Sequence, residues 1–308
     1  MDRAFAAGVA ALAMLVPLTL VAIAVLILID SWPSLTTFGL AYFATTAWDP
    51  VKLVFGAAAY VYGTIVTTAV AVILATPVAV GAAIYLTEFA PRPLRAPIAL
   101  VIEILAYIPS IIYGLWGIFA LVPAMRDVVE PALQATAGRV PVVGQLFSGT
   151  PGGLDLFTGG VVLAIMILPI LTAVTREVLL AVPPTQREAM IGLGATRWEA
   201  VTRAVLPYAR PGIVGAAVLG VGRAFGETMA VTMVVGNSSR DIGGSLFVPG
   251  YTMASAIANQ FVEADTELYF SAIVEVALVL LIVALLVNSV ARLLIRRTVA
   301  DRPAGAVV

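Results

Sequence analysis

Arg223 and Glu227 stand four residues apart in the run GRAFGET, inside an apolar stretch from Gly212 to Val235. A spacing of four puts two side chains on one face of a helix, and a charge at the centre of a membrane helix costs about 2.5–3.5 kcal/mol on insertion scales. A pair kept at that depth has two readings. One is an ion pair that locks two helices and adds specificity more than stability. The other is a polar path, in which the planar donor fork of the guanidinium meets anionic oxygens while the carboxylate steadies it or accepts a proton. Glu103 and Glu275 also lie in apolar runs, and either is a candidate partner for Arg223 or faces an aqueous vestibule. Three glutamates around one arginine attract an anion poorly, so the chain is expected to supply half of a pathway, with further cations from a partner.

Other chemistries are excluded by what the chain lacks. It has no cysteine and no histidine, which removes disulfides, thiolate metal sites, Ser-His or Cys-His catalysis and imidazole relays. Its single lysine, Lys52, has neither a Gly-rich run before it nor Ser/Thr after it, so no P-loop is present. The chain is expected to be a transport subunit without an ATPase site or a bound cofactor of its own. The net charge of -1 gives no sign of nucleic-acid binding.

The elements that must hold these charges follow from composition. Of 308 residues, 61% are hydrophobic and 11% charged, against roughly 45–50% and about 25% in soluble domains. Such a chain cannot cover itself with polar surface. Six stretches reach the roughly 20 apolar residues that span a bilayer core: Phe5 to Ile29, Val61 to Leu86, Pro97 to Val122, Gly159 to Val182, Gly212 to Val235 and Tyr269 to Arg292. They are apolar all round and lack the alternation of barrel strands. The fold class is therefore all-α, a polytopic membrane protein with one transmembrane domain over 1–308 and a core of roughly 61–292. The first stretch is too long for a signal-peptide core and runs into DSWPS without a cleavage pattern, so it is expected to be retained.

Twelve arginines lie at one side of this arrangement: Arg3, Arg92, Arg95, Arg176, Arg187, Arg197, Arg203, Arg210, Arg292, Arg296, Arg297 and Arg302. The opposite loops, Asp30 to Tyr60, Pro123 to Thr158 and Gly236 to Leu268, hold only Lys52, Arg126, Arg139 and Arg240 beside nine carboxylates. The positive-inside rule then places both termini in the cytoplasm. Pro109, Gly114 and Gly117 inside the third stretch imply either a packing kink or a broken helix lining a polar path, with Ser110 able to serve a freed carbonyl.

The charged stretch REAMIGLGATRWEAVTRAVLP, Arg187 to Pro207, is expected on the cytoplasmic side. Pro183 and Pro184 end the helix before it, Gly192 and Gly194 suit a turn, and Thr196 with Glu199 completes a capping box for a second helix. Pro207 marks where that helix must stop or bend. Trp198, Val201 and Val205 are spaced to share one apolar face flanked by Arg197 and Arg203, suited to lipid headgroups or to a groove in a partner.

Glu188, Ala189 and Met190, then Gly194, then Leu206 and Pro207 resemble the cytoplasmic EAA loop of ABC importer permeases. Met190 stands for the second alanine of that pattern and Ala204 for its isoleucine. In that family the loop forms coupling helices seated in the ATPase, which implies this role for 183–209. The runs IPSIIYGLWGIF, VVLAIMILPILTAVTREVL, LGVGRAFGETMAVTMVVGN and MASAIANQFVEA, from Ile108 to Ala264, are similar to the C-type permeases of phosphate-specific (Pst) importers, among the binding-protein-dependent transport permeases. The resemblance implies a type I importer fold in a bacterial inner membrane and transport of inorganic phosphate. It also implies a paired A-type permease, an ATPase homodimer that uses MgATP, an extracytoplasmic phosphate-binding protein, and a transport role for Arg223 and Glu227. Molybdate, sulfate or phosphonate permeases, proton-coupled secondary transport and a membrane enzyme are the alternatives. The last two leave the charged loop unexplained or lack a catalytic grouping.

Overall fold

The computed structural model describes residues 2–238 and 242–300; Arg240 and Arg302, counted above for charge, lie outside the described residues. The described chain is helical, with two isolated β-bridges, Asp49 to Val54 and Gly236 to Gly250. Its six crossing helices are α1 (Asp2–Asp30), α3 (Ala58–Phe89), α5 (Ser110–Arg139), α6 (Leu156–Leu180), α8 (Arg197–Phe225) and α11 (Glu267–Ala300). Between them lie the shorter α2 (Trp32–Phe38), α4 (Arg92–Ala106), α7 (Pro184–Gly192), α9 (Met229–Val234) and α10 (Met253–Gln260).

The central contact is α3 against α6. Ala71, Ala75, Ala79 and Ala83 recur every fourth residue along α3 and are all buried, so the two backbones approach closely. In a bilayer such small-residue seams hold helices by dispersion, since lipid tails remove the usual hydrophobic driving force. Gly160 of α6 is part of the seam: a Cβ there would stand 2.5 Å from a Val70 methyl. Helix α1 packs at the edge against α11, and its large apolar side chains are exposed along its whole length.

Two expected helices are divided. The stretch Pro97 to Val122 is interrupted at Tyr107–Pro109, so its first half belongs to α4 and its second to α5, which runs on to Arg139 through π-turns at 117–121 and 125–129. The stretch Gly212 to Val235 is interrupted after Phe225, leaving α9 as a separate helix of 6 residues.

At the end of the bundle away from the arginine-rich turns, aromatic rings fill the core. Phe55 stacks on Tyr269 at 5.2 Å, and the Tyr42 hydroxyl donates to the Ala272 carbonyl at 2.7 Å. Glu275 belongs to this region. Its side chain is fully buried, Ser34 Oγ donates to its Oε2 at 2.5 Å, and Ser34 N–H donates to Ser271 Oγ at 3.0 Å. Glu275 therefore ties α2 to α11 and is not the partner of Arg223.

The same end holds a pair that sequence reasoning missed. Glu130 and Asp155 are 0% and 1% exposed, and their carboxyls are in hydrogen-bond contact. Among the described residues Glu130 Oε1 and Asp155 Oδ2 have no other partner, while Asp155 Oδ1 caps α6 by accepting from Thr158 N–H at 2.8 Å. Two touching carboxyl groups are reconciled by a proton between them. Burial first, and then the Glu130 charge, push the Asp155 carboxyl up to about 7. The folded chain thus keeps a proton that an unfolded aspartate releases near pH ~4, so stability falls as pH rises from about 4 to about 7. Asp155→Asn keeps an acceptor for Thr158 but cannot ionise, and is expected to flatten this fall in melting temperature; a parallel pH profile for the variant would contradict the shared proton.

Candidate functional site

The two helix interruptions lie beside each other. Inside a hydrocarbon core of about 30 Å, broken backbone is tolerated only where protein covers it or water reaches it. The two breaks meet that demand together, because α5 and α9 pack directly on each other. A Cβ on Gly114 would stand 2.6 Å from Met233 Sδ and 3.2 Å from Ala230 Cα, and one on Gly117 would stand 2.8 Å from a Val234 methyl. The glycines of IPSIIYGLWG are thus close-approach positions, and Pro109 is the non-helical residue just before α5 starts.

Side chains serve the freed backbone groups. Tyr113 reaches back across the first break, its hydroxyl donating to the Leu105 carbonyl at 2.9 Å. At the second break Glu227 is buried, and its Oε1 accepts from Ala230 N–H at 3.2 Å. A carboxylate in this position satisfies an orphan donor of the helix start and complements its dipole.

Arg223 has a different setting. It is exposed in the last turn of α8 and lies in electrostatic range of the Tyr113 hydroxyl. Among the described residues no ion pair joins it to Glu103, Glu227 or Glu275. The expected pairing of Arg223 with Glu227 on one helical face is therefore corrected: the helix ends at Phe225, Gly226 follows, and Glu227 turns toward α9. Glu103 is exposed on α4 and opens on a crevice shared with Thr172 and Arg176 of α6, away from Arg223. Among the described residues Arg223 has no partner for its donors, at the surface where two broken helices meet.

The arginine-rich end carries the second candidate region. Thr196 and Glu199 form the capping box read from sequence, and Gly194 has φ of +87°, a left-handed conformation that favours glycine. Glu188, Ala189 and Ile191 are exposed on α7, as are Leu193 in the turn after it, 84% exposed, and Trp198 at the start of α8. The expected shared face of Trp198, Val201 and Val205 is corrected. Val201 and Val205 are buried against Ile84, Leu179 and Val182, and only Trp198 stays outside, near Phe89. Nor does Pro207 stop its helix. A π-turn at Val201–Val205 precedes it, with Leu206 N–H donating to Val201 O, and α8 continues through Leu206 and Pro207 to Phe225. Such a turn rearranges the carbonyls that a proline ring would otherwise meet.

Sequence reasoning also missed Glu88. Arg187 Nε and Nη2 contact its Oε1 at 2.9 and 2.8 Å, while Nη1 and Nη2 donate to the carbonyls of Val182 and Leu179, each at 2.9 Å. The partners are 99 residues apart, beyond any local pattern.

Comparison with known proteins adds an independent line. Residues 75–300 match the family described as binding-protein-dependent transport system inner membrane component. The chain is 44% identical over 296 residues to the phosphate transport system permease protein PstC of Mesorhizobium japonicum, covering 96% of this chain and 90% of that protein. It is 47% identical over 285 residues to the protein of the same name from Pasteurella multocida, covering 92% and 88%. Among solved structures, a bacterial alginate ABC transporter in complex with a pentasaccharide-bound periplasmic protein superposes with TM-score 0.60 at 16% identity, covering 92% of this chain and 93% of that one. The inward-facing MetNI methionine ABC transporter superposes with TM-score 0.57 at 20% identity, covering 78% and 94%.

The capping role of Glu227 has a direct test. Glu227→Gln retains an oxygen acceptor for Ala230 N–H and is expected to melt close to wild type, whereas Glu227→Ala should cost about 1 kcal/mol, as lost caps do. Equal losses in the two variants, read by thermal denaturation of the purified protein, would show that the charge rather than the cap is what the fold uses.

Proposed function

The chain belongs to the binding-protein-dependent transport system inner membrane component family, and from that premise we propose that it is the C-type permease of an ATP-driven inorganic phosphate importer. The observation that carries the substrate is 44% identity, sustained over 96% of the chain, to a named phosphate permease. The chain is a multi-pass inner-membrane subunit. The excess of arginine at one end orients that end, and both termini, toward the cytoplasm.

In this reading the conduit is completed by a paired A-type permease seated over the exposed surface where α5, α8 and α9 meet. Arg223 offers its planar fork to phosphate oxygens there, and the partner supplies the further cations that one arginine cannot replace. Glu227 holds the start of α9 and so fixes the wall beside Arg223. An extracytoplasmic phosphate-binding protein delivers substrate at the carboxylate-rich end. MgATP is bound and hydrolysed by a pair of ATPase subunits. Their cleft takes the exposed apolar residues of α7 and the turn after it, with Glu188, Ala189 and Gly194 shaping that knob and Leu206 and Pro207 joining it to α8. Closure of the ATPase pair displaces α7, and the permease pair changes the side to which Arg223 is open.

Uptake of labelled phosphate by the assembled importer in proteoliposomes tests this reading. Wild type should take up phosphate without competition from sulfate or molybdate. Arg223→Ala should lose roughly 10- to 100-fold in rate, the worth of charge-assisted hydrogen bonds, with Arg223→Lys retaining part of it. Uptake of another oxyanion in preference would overturn the substrate, and unchanged uptake in Arg223→Ala would overturn the role of that residue.

A further inference from the structure

Helix α7 is poorly anchored by packing. It has 9 residues, none of them buried, and both of its ends are weak joints. Pro183 is non-helical before it, and the turn through Gly194 follows it. An exposed helix between two such joints would swivel under load. Its side-chain tie to the membrane helices is the guanidinium of Arg187, whose acceptors come from two different elements. Glu88 lies in the π-turn that ends α3, while the carbonyls of Leu179 and Val182 belong to the last turn of α6 and the residues just after it. The arginine side chain is 23% exposed and that of Glu88 15%, so the pair is shielded from the screening that weakens surface ion pairs.

We propose that Arg187 and Glu88 are positioning residues for energy coupling, forming a pin that clamps α7 to the ends of α3 and α6 so that its displacement moves those helices instead of turning α7 in place. The proposal rests on the reading of α7 as the element that docks in the ATPase. Three features support the pin over a general stabilising contact. The fork reaches three acceptors at 2.8–2.9 Å, which a lysine ammonium on a flexible stem cannot match in geometry. It joins the ends of the two helices whose alanine and glycine seam forms the centre of the fold. And its neighbours Val201 and Val205 pack on Ile84 and Leu179, so the start of α8 is fixed to the same point.

The test uses the complete importer and reads phosphate transported per ATP hydrolysed. The chain has no cysteine, so Leu193→Cys provides one thiol on the exposed turn for crosslinking to the ATPase as a check on docking. In Arg187→Lys and in Glu88→Gln the crosslink and the ATPase rate should persist while phosphate carried per ATP falls roughly tenfold, and combining the two changes should add little. An unchanged ratio in both variants, with the crosslink present, would overturn the pin. Absence of the crosslink in the otherwise wild-type chain would instead overturn the docking reading. Should Arg187→Lys not assemble, the near-isosteric Glu88→Gln carries the same test alone.

Discussion

A helix cannot end inside a bilayer unless something accepts its unpaired backbone groups. This chain breaks two neighbouring helices, and much of its architecture follows from making those breaks tolerable. Gly114 and Gly117 let α5 and α9 come close enough to cover each other. Tyr113 bridges one break and Glu227 caps the other. What remains exposed between them is Arg223, a residue whose burial in lipid would be costly and whose donors are uncommitted within the described chain.

The seam of α3 on α6 supports this site and links it to the arginine-rich end. Alanine at every fourth position of α3 lets Leu163, Ile167 and Leu171 of α6 pack closely against it in a buried interface. At the far end, the aromatic cluster and the buried Glu130 and Asp155 lie among the loops. Helix α1, exposed along its length, takes little part in that framework. The division of labour is between a rigid pair of central helices, a broken pair beside them, and a small exposed helix at the end.

Legibility in the sequence follows the range of each interaction. The number of crossing helices was readable because bilayer thickness sets a length that composition alone reveals, but the third and fifth lie displaced from the expected stretches, each of which is broken. The Thr196–Glu199 capping box was readable because it is closed within three residues, and Gly194 because a left-handed turn favours glycine. The break after Phe225 had a local signal that spacing obscured: Gly226 interrupts the run, and Glu227 stands three residues before the Ala230 N–H it caps, yet its four-residue distance from Arg223 imitates a helical pair. The inward turn of Val201 and Val205 was not readable, since amphipathic spacing does not say whether an apolar face meets lipid, a partner or the chain itself. Glu275 with Ser34, Glu88 with Arg187 and Glu130 with Asp155 are pairings across the fold, and no pattern along the chain encodes them. The family resemblance indicated Arg223 and Glu227 together, while the geometry separates their parts.

In the proposed importer the paired breaks line a water-filled path that alternates between the two sides of the membrane. Because the chain is free of cysteine, a single thiol at Thr228, introduced as Thr228→Cys in the assembled importer, can be probed with a membrane-impermeant maleimide from either side. Labelling is expected from one side in the resting state and from the opposite side when ATP hydrolysis is trapped by vanadate. A thiol protected from both sides in both states, although denaturant exposes it, would place the breaks in dry protein and overturn that path.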